Sequence, residues 1–330
     1  MLFAAGLVLF IRVIHETGAE KLRDVLPILS HPAAWMVFSI YILMNFWDTA
    51  AWVVMDPLAR DRSVSRWKDF YLIRLAGEAI NTVTPFIDIG GEFLKAALAI
   101  DILKMPRKSA VTTVVLTRTT LFFSEIAFWA SGFLPALWMI SLPASVRWGL
   151  GGTVAVFTLL AVVILFLQKR GFFRTIFTAL RRFGVNPDFA QRFHVSLQEI
   201  DDEITSFYQS KKNALWFSFF LHWIGWAVGG LEMYFMFKML GSPLNVWQAL
   251  LGEAFFQIVR TGSFFIPANL GTQEAGLALF AQWMGVHPSQ GVLVSLLKRA
   301  RQLLWAVIGF AIWGIYYIIA PSKSRASLET

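Results

Sequence analysis

Apolar residues along this chain run in long unbroken stretches, and the breaks between them carry most of its charge. Residues 33–54, 109–139, 148–167, 216–239 and 292–320 are each apolar over about 20 positions or more, enough for an α-helix to cross some 30 Å of hydrocarbon. Residues 1–14 are apolar too, but rise only about 21 Å as a helix, so they read as a tilted span or part of a longer one. A signal peptide would need a basic leading region and a small-x-small cleavage pattern, which this stretch lacks.

Two further segments are too polar and too broken to face lipid. Residues 69–103 contain Arg74, Glu78, Asn81, Pro85, Asp88, Gly90, Gly91, Glu92 and Lys95, and residues 246–283 contain Glu253, Arg260, Pro267, Asn269, Gly271, Gln273 and Glu274. Irregular backbone at membrane depth survives only where protein or a wet cavity supplies hydrogen bonds. Arg62, Arg66 and Lys68 precede the first segment and Lys104, Arg107 and Lys108 follow it, which puts both its ends on the cytoplasmic side. The loops around the second segment, GSPLN and GVHPSQG, carry no Lys or Arg, which puts both its ends outside. The expected architecture is an all-α integral membrane protein of about six transmembrane helices and two re-entrant helical hairpins, arranged as an inverted repeat within one structural domain. The first repeat covers 1–140 with its hairpin at 69–103. The second covers 141–330, with a cytoplasmic insert at 169–212 and its hairpin at 246–283.

Composition sharpens this picture. The chain of 330 residues is 57% hydrophobic and 15% charged, with a mean hydropathy of +0.59, more apolar material than a soluble domain can hide. The formal charge of +8 fits cytoplasmic loops better than nucleic acid, there being no basic soluble domain to bind it. Cysteine is absent and no His-rich metal motif exists, so neither metal nor cofactor is expected. In the insert, Phe172, Phe173, Ile176, Phe177, Leu180 and Phe183 share a helical face beside Arg174, Arg181 and Arg182, as in a helix lying on an anionic leaflet. A second helix is expected from Pro187 and Asp188, and its acidic run Glu199, Asp201, Asp202, Glu203 reads as a solvated face.

The two broken segments share a plan. Residues 84–98 (TPFIDIGGEFLKAAL) and 265–279 (FFIPANLGTQEAGLA) each place a glutamate seven residues after a proline, Pro85/Glu92 and Pro267/Glu274. An arginine follows within an apolar run roughly 26 residues on: Arg118 in the first copy, Arg299 or Arg301 in the second. A charge at mid-membrane costs roughly 2.5–3.5 kcal/mol on insertion scales, so these groups must pair or face water. One reading makes Glu92 with Arg118, and Glu274 with Arg299 or Arg301, fixed ion pairs between hairpin and helix. The other adds that the hairpin breaks expose helix N-termini, which with arginine forks form a site for an anionic headgroup. The expected site comprises Glu92, Lys95, Arg118, Glu274, Arg299 and Arg301, with Asn81, Asn269, Gln273 and Arg260 around it and Pro85, Gly90, Gly91, Pro267 and Gly271 as the breaks.

On PFIDIGGEFLKA, TRTTLFFSEIAF and IPANLGTQEAG, most of the chain resembles the transmembrane region of the lysylphosphatidylglycerol synthase family, also called flippase-like membrane proteins. The resemblance implies movement of an amino-acylated or glycosylated phospholipid or a polyprenyl lipid between leaflets, in a bacterial cytoplasmic membrane with both termini cytoplasmic. Gln273 stands where a basic residue is expected and Lys95 where an arginine is, which bears on the headgroup. The soluble transferase domain of fused members is not expected here, nor lysyl transfer with it. The alternatives are a membrane-embedded transferase acting on a lipid-linked substrate, and a scaffold protein. Membrane lipids are the expected partners, and homo-oligomers are compatible with all three.

Overall fold

A computed structural model describes residues 26–56, 64–84, 90–139, 143–175, 178, 188–242, 244–264, 266 and 269–319. Residues 1–14, Pro85, Asp88, Pro267, most of the basic stretch 172–183 and the tail with Lys323 and Arg325 lie wholly or largely outside the described residues.

Every element among the described residues is a helix. In order they are α1 (Leu26–Leu29), α2 (Pro32–Val53), α3 (Val64–Val83), α4 (Gly90–Asp101), α5 (Arg107–Met139), α6 (Ala144–Arg170), α7 (Asp188–Ser210), α8 (Lys212–Met239), α9 (Val246–Gly262), α10 (Thr272–Trp283) and α11 (Pro288–Ile319). Local chemistry sets several starts. Pro32 opens α2 with no N–H to lose, and His31 Nδ1 accepts from the Ala33 N–H at 3.2 Å. Asn245 and Gln248 cap α9 reciprocally at 2.9 Å each. α3 begins at Val64, five residues ahead of the expected hairpin start, because SRWKD continues the helix.

Helices α2, α5, α6 and α8 are long and apolar enough to cross a membrane. The 32-residue α11 is longer than a bilayer core requires but carries Lys298, Arg299 and Arg301 within it. α6 shows Val156, Leu159, Val162, Val163 and Phe166 at its surface, a helix whose outer face suits lipid rather than water.

Element lengths repeat along the chain. A helix of 22 residues, a helical pair of 20 and 12, and a long helix of 33 (α2, α3/α4, α5) are echoed by 28, then 17 and 12, then 32 (α8, α9/α10, α11). Packing repeats with them. The hairpin helix α3 lies on α11 and its echo α9 lies on α5; α4 packs on α5 and α10 on α11. At the centre α2 packs on its own echo α8, and the two run antiparallel: Asp48 meets His222 and Gly225, while Met44 meets Gly225 and Gly229. The glycines let the helices approach, since a Cβ on Gly225 would sit 3.2 Å from the Asp48 carboxylate. An apolar core forms around each helical pair. One gathers Phe70, Ile73, Leu98, Phe310 and Trp313 around the first hairpin, the other Met233, Phe237, Phe256, Leu277 and Phe280 around the second.

The insert departs from expectation at Asp201. Instead of facing water, its carboxylate is buried and accepts the N–H groups of Phe173 at 3.1 Å and Arg174 at 2.9 Å, just past Gly171, which takes φ +95°. Glu203 likewise accepts from Ser109 Oγ at 2.8 Å. The reason is that α7 packs against α5, α6 and α8, burying Ile200, Ile204 and Phe207, so two of the four acidic side chains fall on a packed flank. Glu199 and Asp202 are exposed.

Candidate functional site

Each hairpin ends its break with a 12-residue helix whose third residue is a glutamate, Glu92 in α4 and Glu274 in α10. Carboxylates are favoured there because the first turn of a helix leaves N–H groups unpaired and carries the positive end of its dipole.

At the second hairpin, Gly271 takes φ +82°, a conformation glycine adopts without strain, and Glu274 Oε2 reaches back to its N–H at 2.9 Å. The same carboxylate is gripped by Arg299 of α11, Nε to Oε1 at 2.7 Å and a terminal nitrogen to Oε2 at 3.2 Å. That guanidinium also donates to the Asn269 carbonyl at 3.0 Å. Asn269, in the left-handed region at φ +49°, lies against Ser263 Oγ at 2.7 Å, and its amide reaches the Arg260 carbonyl at 2.9 Å. Gln273 is buried beside them, its side-chain oxygen without a hydrogen-bond partner in the structure.

At the first hairpin, Asn81 closes the break by accepting the Gly91 N–H at 2.7 Å and donating to Glu92 at 3.3 Å. Lys95 binds Glu92 and Glu78, each at 2.9 Å. Glu78 and Asp48 share Arg74, at 3.6 and 2.5 Å, and Asp48 is held on its other oxygen by His222 at 2.6 Å. Arg118 of α5 is among the charges acting on Glu78. Beside this chain of alternating charges lies a small cleft between α2, α3 and α11, lined by Tyr41, Glu78, Thr82, Gln302 and Trp305.

A third set joins α8, α9 and α11. Lys298 contacts Glu253 at 2.7 Å and Glu232 at 3.3 Å, and Arg301 reaches Glu232 at 3.2 Å while stacking over Tyr41 at 4.3 Å. Lys298, Glu232 and Glu253 are all at most 1% exposed. Two cations meet two carboxylates, so no net charge is buried.

The structure thus separates the two candidate arginines of α11. Arg299 takes Glu274 and Arg301 turns to the central set. In the first half Glu92 meets Lys95 three residues on, and Arg118 sits half-buried on α5. Residues outside the expected site, namely Asp48, Arg74, Glu78, His222 and Lys298, prove as integral to the polar interior. Lys298 was signalled only as one of three cations within four positions of an apolar run.

The model of the lysylphosphatidylglycerol synthase TM region matches residues 1–311. The chain belongs to that family. It is accordingly a multi-pass membrane protein. Its similar proteins include a UPF0104 membrane protein of Methanocaldococcus jannaschii, 22% identical over 314 residues covering 89% of this chain and 87% of the relative. Another is a UPF0104 membrane protein of Methanothermobacter thermautotrophicus, 22% identical over 343 residues covering 96% and 94%. No solved structure matches the chain.

Proposed function

We propose that this family member moves an anionic or modified lipid between leaflets, using the two hairpin breaks as headgroup sites reached alternately from either side. One observation carries the reading: the Glu274 carboxylate sits in an anion receptor made of an N-terminal N–H of α10 and the Arg299 fork. A helix N-terminus with a bidentate guanidinium is what a phosphate diester needs, and here the protein's own carboxylate fills it. A headgroup phosphate entering the break displaces Glu274, whose return resets the site when the lipid leaves. Opposite directions of α2 and α8, and the exchange of hairpins onto each other's long helices, are what an inverted duplication produces, and such duplications with interrupted helices recur in transporters. A lipid rather than a soluble solute is favoured by the family and by the lipid-suited face of α6. We place the protein in the cytoplasmic membrane of a prokaryotic cell with both termini inside and the hairpins re-entrant.

The test is headgroup exposure in reconstituted vesicles for Glu274→Gln and Glu92→Gln. Both keep side-chain size while deleting charge. The expected outcome is loss of translocation with normal extraction and melting. Full activity in the double variant sinks the proposed site.

A further inference from the structure

Two parts of the polar interior lie on different packed units, the central helix pair and the first hairpin. Asp48 and His222 lie on α2 and α8, the antiparallel pair at the centre, packed closely over Gly225 and Gly229. Arg74 lies on α3, part of the first hairpin. The Asp48 carboxylate bridges them, with one oxygen on His222 Nδ1 at 2.6 Å and the other on Arg74 at 2.5 Å. His222 is fully buried, and its second ring nitrogen, Nε2, has no hydrogen-bond partner in the structure. Asp48 accepts, so the neutral ring presents its N–H at Nδ1 and leaves a lone pair at Nε2.

If the first hairpin shifts to open its break, as the transport reading requires, Arg74 is drawn away from Asp48. A carboxylate left in that position has no other cation on α2 or α8 within reach. The neighbouring group able to restore balance while the carboxylate stays ionised is the imidazole. A proton taken from water at Nε2 makes an imidazolium against Asp48, and the site keeps the net charge it had with Arg74 in place.

We propose that Asp48 and His222 form the proton-binding site of the transport cycle, where one proton and the Arg74 guanidinium alternate on the same carboxylate. The proposal rests on the transport reading for its role and deepens it by naming the coupling ion. The step balances as a proton transfer: an O–H bond of a hydronium ion on the side to which the hairpin opens breaks as N–H forms at Nε2, and the N–H breaks and the proton returns to water when Arg74 comes back. The other charges facing the pair are Glu78 of α3 and Lys95 of α4, which bind one another, and Arg118 of α5, which acts on Glu78. Glu253 of α9 and Lys298 and Arg301 of α11 are committed to one another and to Glu232, ten residues further along α8. Among the described residues the second half has no equivalent, for there the corresponding helices α8 and α9 bring two glutamates to Lys298.

Difference acid–base titration of the purified full chain tests the exchange without any transport assay. Arg74→Gln should take up about one proton more than the parent near neutral pH, and Arg74→Gln/His222→Gln should not. Superimposable titrations of parent and Arg74→Gln, or the same extra proton in the double variant, overturn the proposal. A second measurement covers the case in which Arg74→Gln does not fold. In vesicles of phosphatidylglycerol and phosphatidylethanolamine, a one-unit pH gradient should bias headgroup accumulation by the parent up to about tenfold. His222→Gln should translocate downhill with no response to the gradient. Parent translocation indifferent to the gradient refutes proton coupling, whereas a parent that moves no headgroup refutes the transport reading and leaves the titration to decide the proton site.

Discussion

Lys298 is the most exacting test of the polar interior, because a primary ammonium at 1% exposure has two carboxylates as its ionic partners. At an effective dielectric of about 20, its contacts at 2.7 and 3.3 Å correspond to attractions of about 6 and about 5 kcal/mol. Burying the ammonium takes back several kcal/mol. What remains is of the same size as the 3–5 kcal/mol that breaking a buried ion pair typically costs. Lys298→Met should therefore destabilise the protein by about 3–5 kcal/mol, since Glu253 loses its cation and Glu232 keeps only Arg301. Adding Glu253→Gln to Lys298→Met should recover most of that loss, because the second change removes the stranded charge. Equilibrium unfolding of parent, both single variants and the double variant in one detergent gives the cycle. If Lys298→Met alone costs under about 1 kcal/mol, or if Glu253→Gln fails to rescue it, the three groups do not act as a charge-balanced unit.

Replacing Asp201 by Asn turns one of its two accepting oxygens into an amide NH2, so one of the Phe173 and Arg174 N–H groups loses its acceptor and should exchange about tenfold faster, a loss of about 1.4 kcal/mol at that cap. Burial pushes the Tyr208 hydroxyl up to about 12 where it donates to Gln168 at 2.6 Å. Its neutral form therefore supports the docking of α7 fully below about pH 10 and loses that support as pH rises to about 12, a loss that tyrosinate absorbance should track and Tyr208→Phe should remove. Gly91→Ala should cost roughly 1–3 kcal/mol in thermal unfolding, because a Cβ there runs into the Gly77 carbonyl and sits 2.7 Å from Asn81 Oδ1.

Local breaks were far more legible in the sequence than distant partners. Glycines 90, 91 and 271 and the glutamates at 92 and 274 mark interruptions of the helical runs, because a polar break inside an apolar run needs hydrogen-bond partners from the protein. The structure puts a 12-residue helix after each break with that glutamate third. Pairing was harder. Lys298 is 66 residues from Glu232 and 45 from Glu253, and His222 is 174 from Asp48, so no spacing rule connects them. Asp201 defeated periodicity for another reason: an amphipathic pattern describes one buried face, and α7 is packed on more than one flank.

The exchange of hairpins between halves bears on how the chain is made. α3, synthesised early, finds its main packing surface on α11, the last described helix to emerge. Until then Leu75 and Ala79 await Gly309, and the charged face of α3 rests mainly on α2 and α4. Maturation of the first hairpin is thus deferred until translation is almost complete, and a chain stalled after α10 holds a polar pair of helices without its lid. Quality control in the membrane would meet that nascent state for every molecule produced, and ribosome-bound chains cut just before and just after α11 should differ sharply in the protease resistance of residues 64–101.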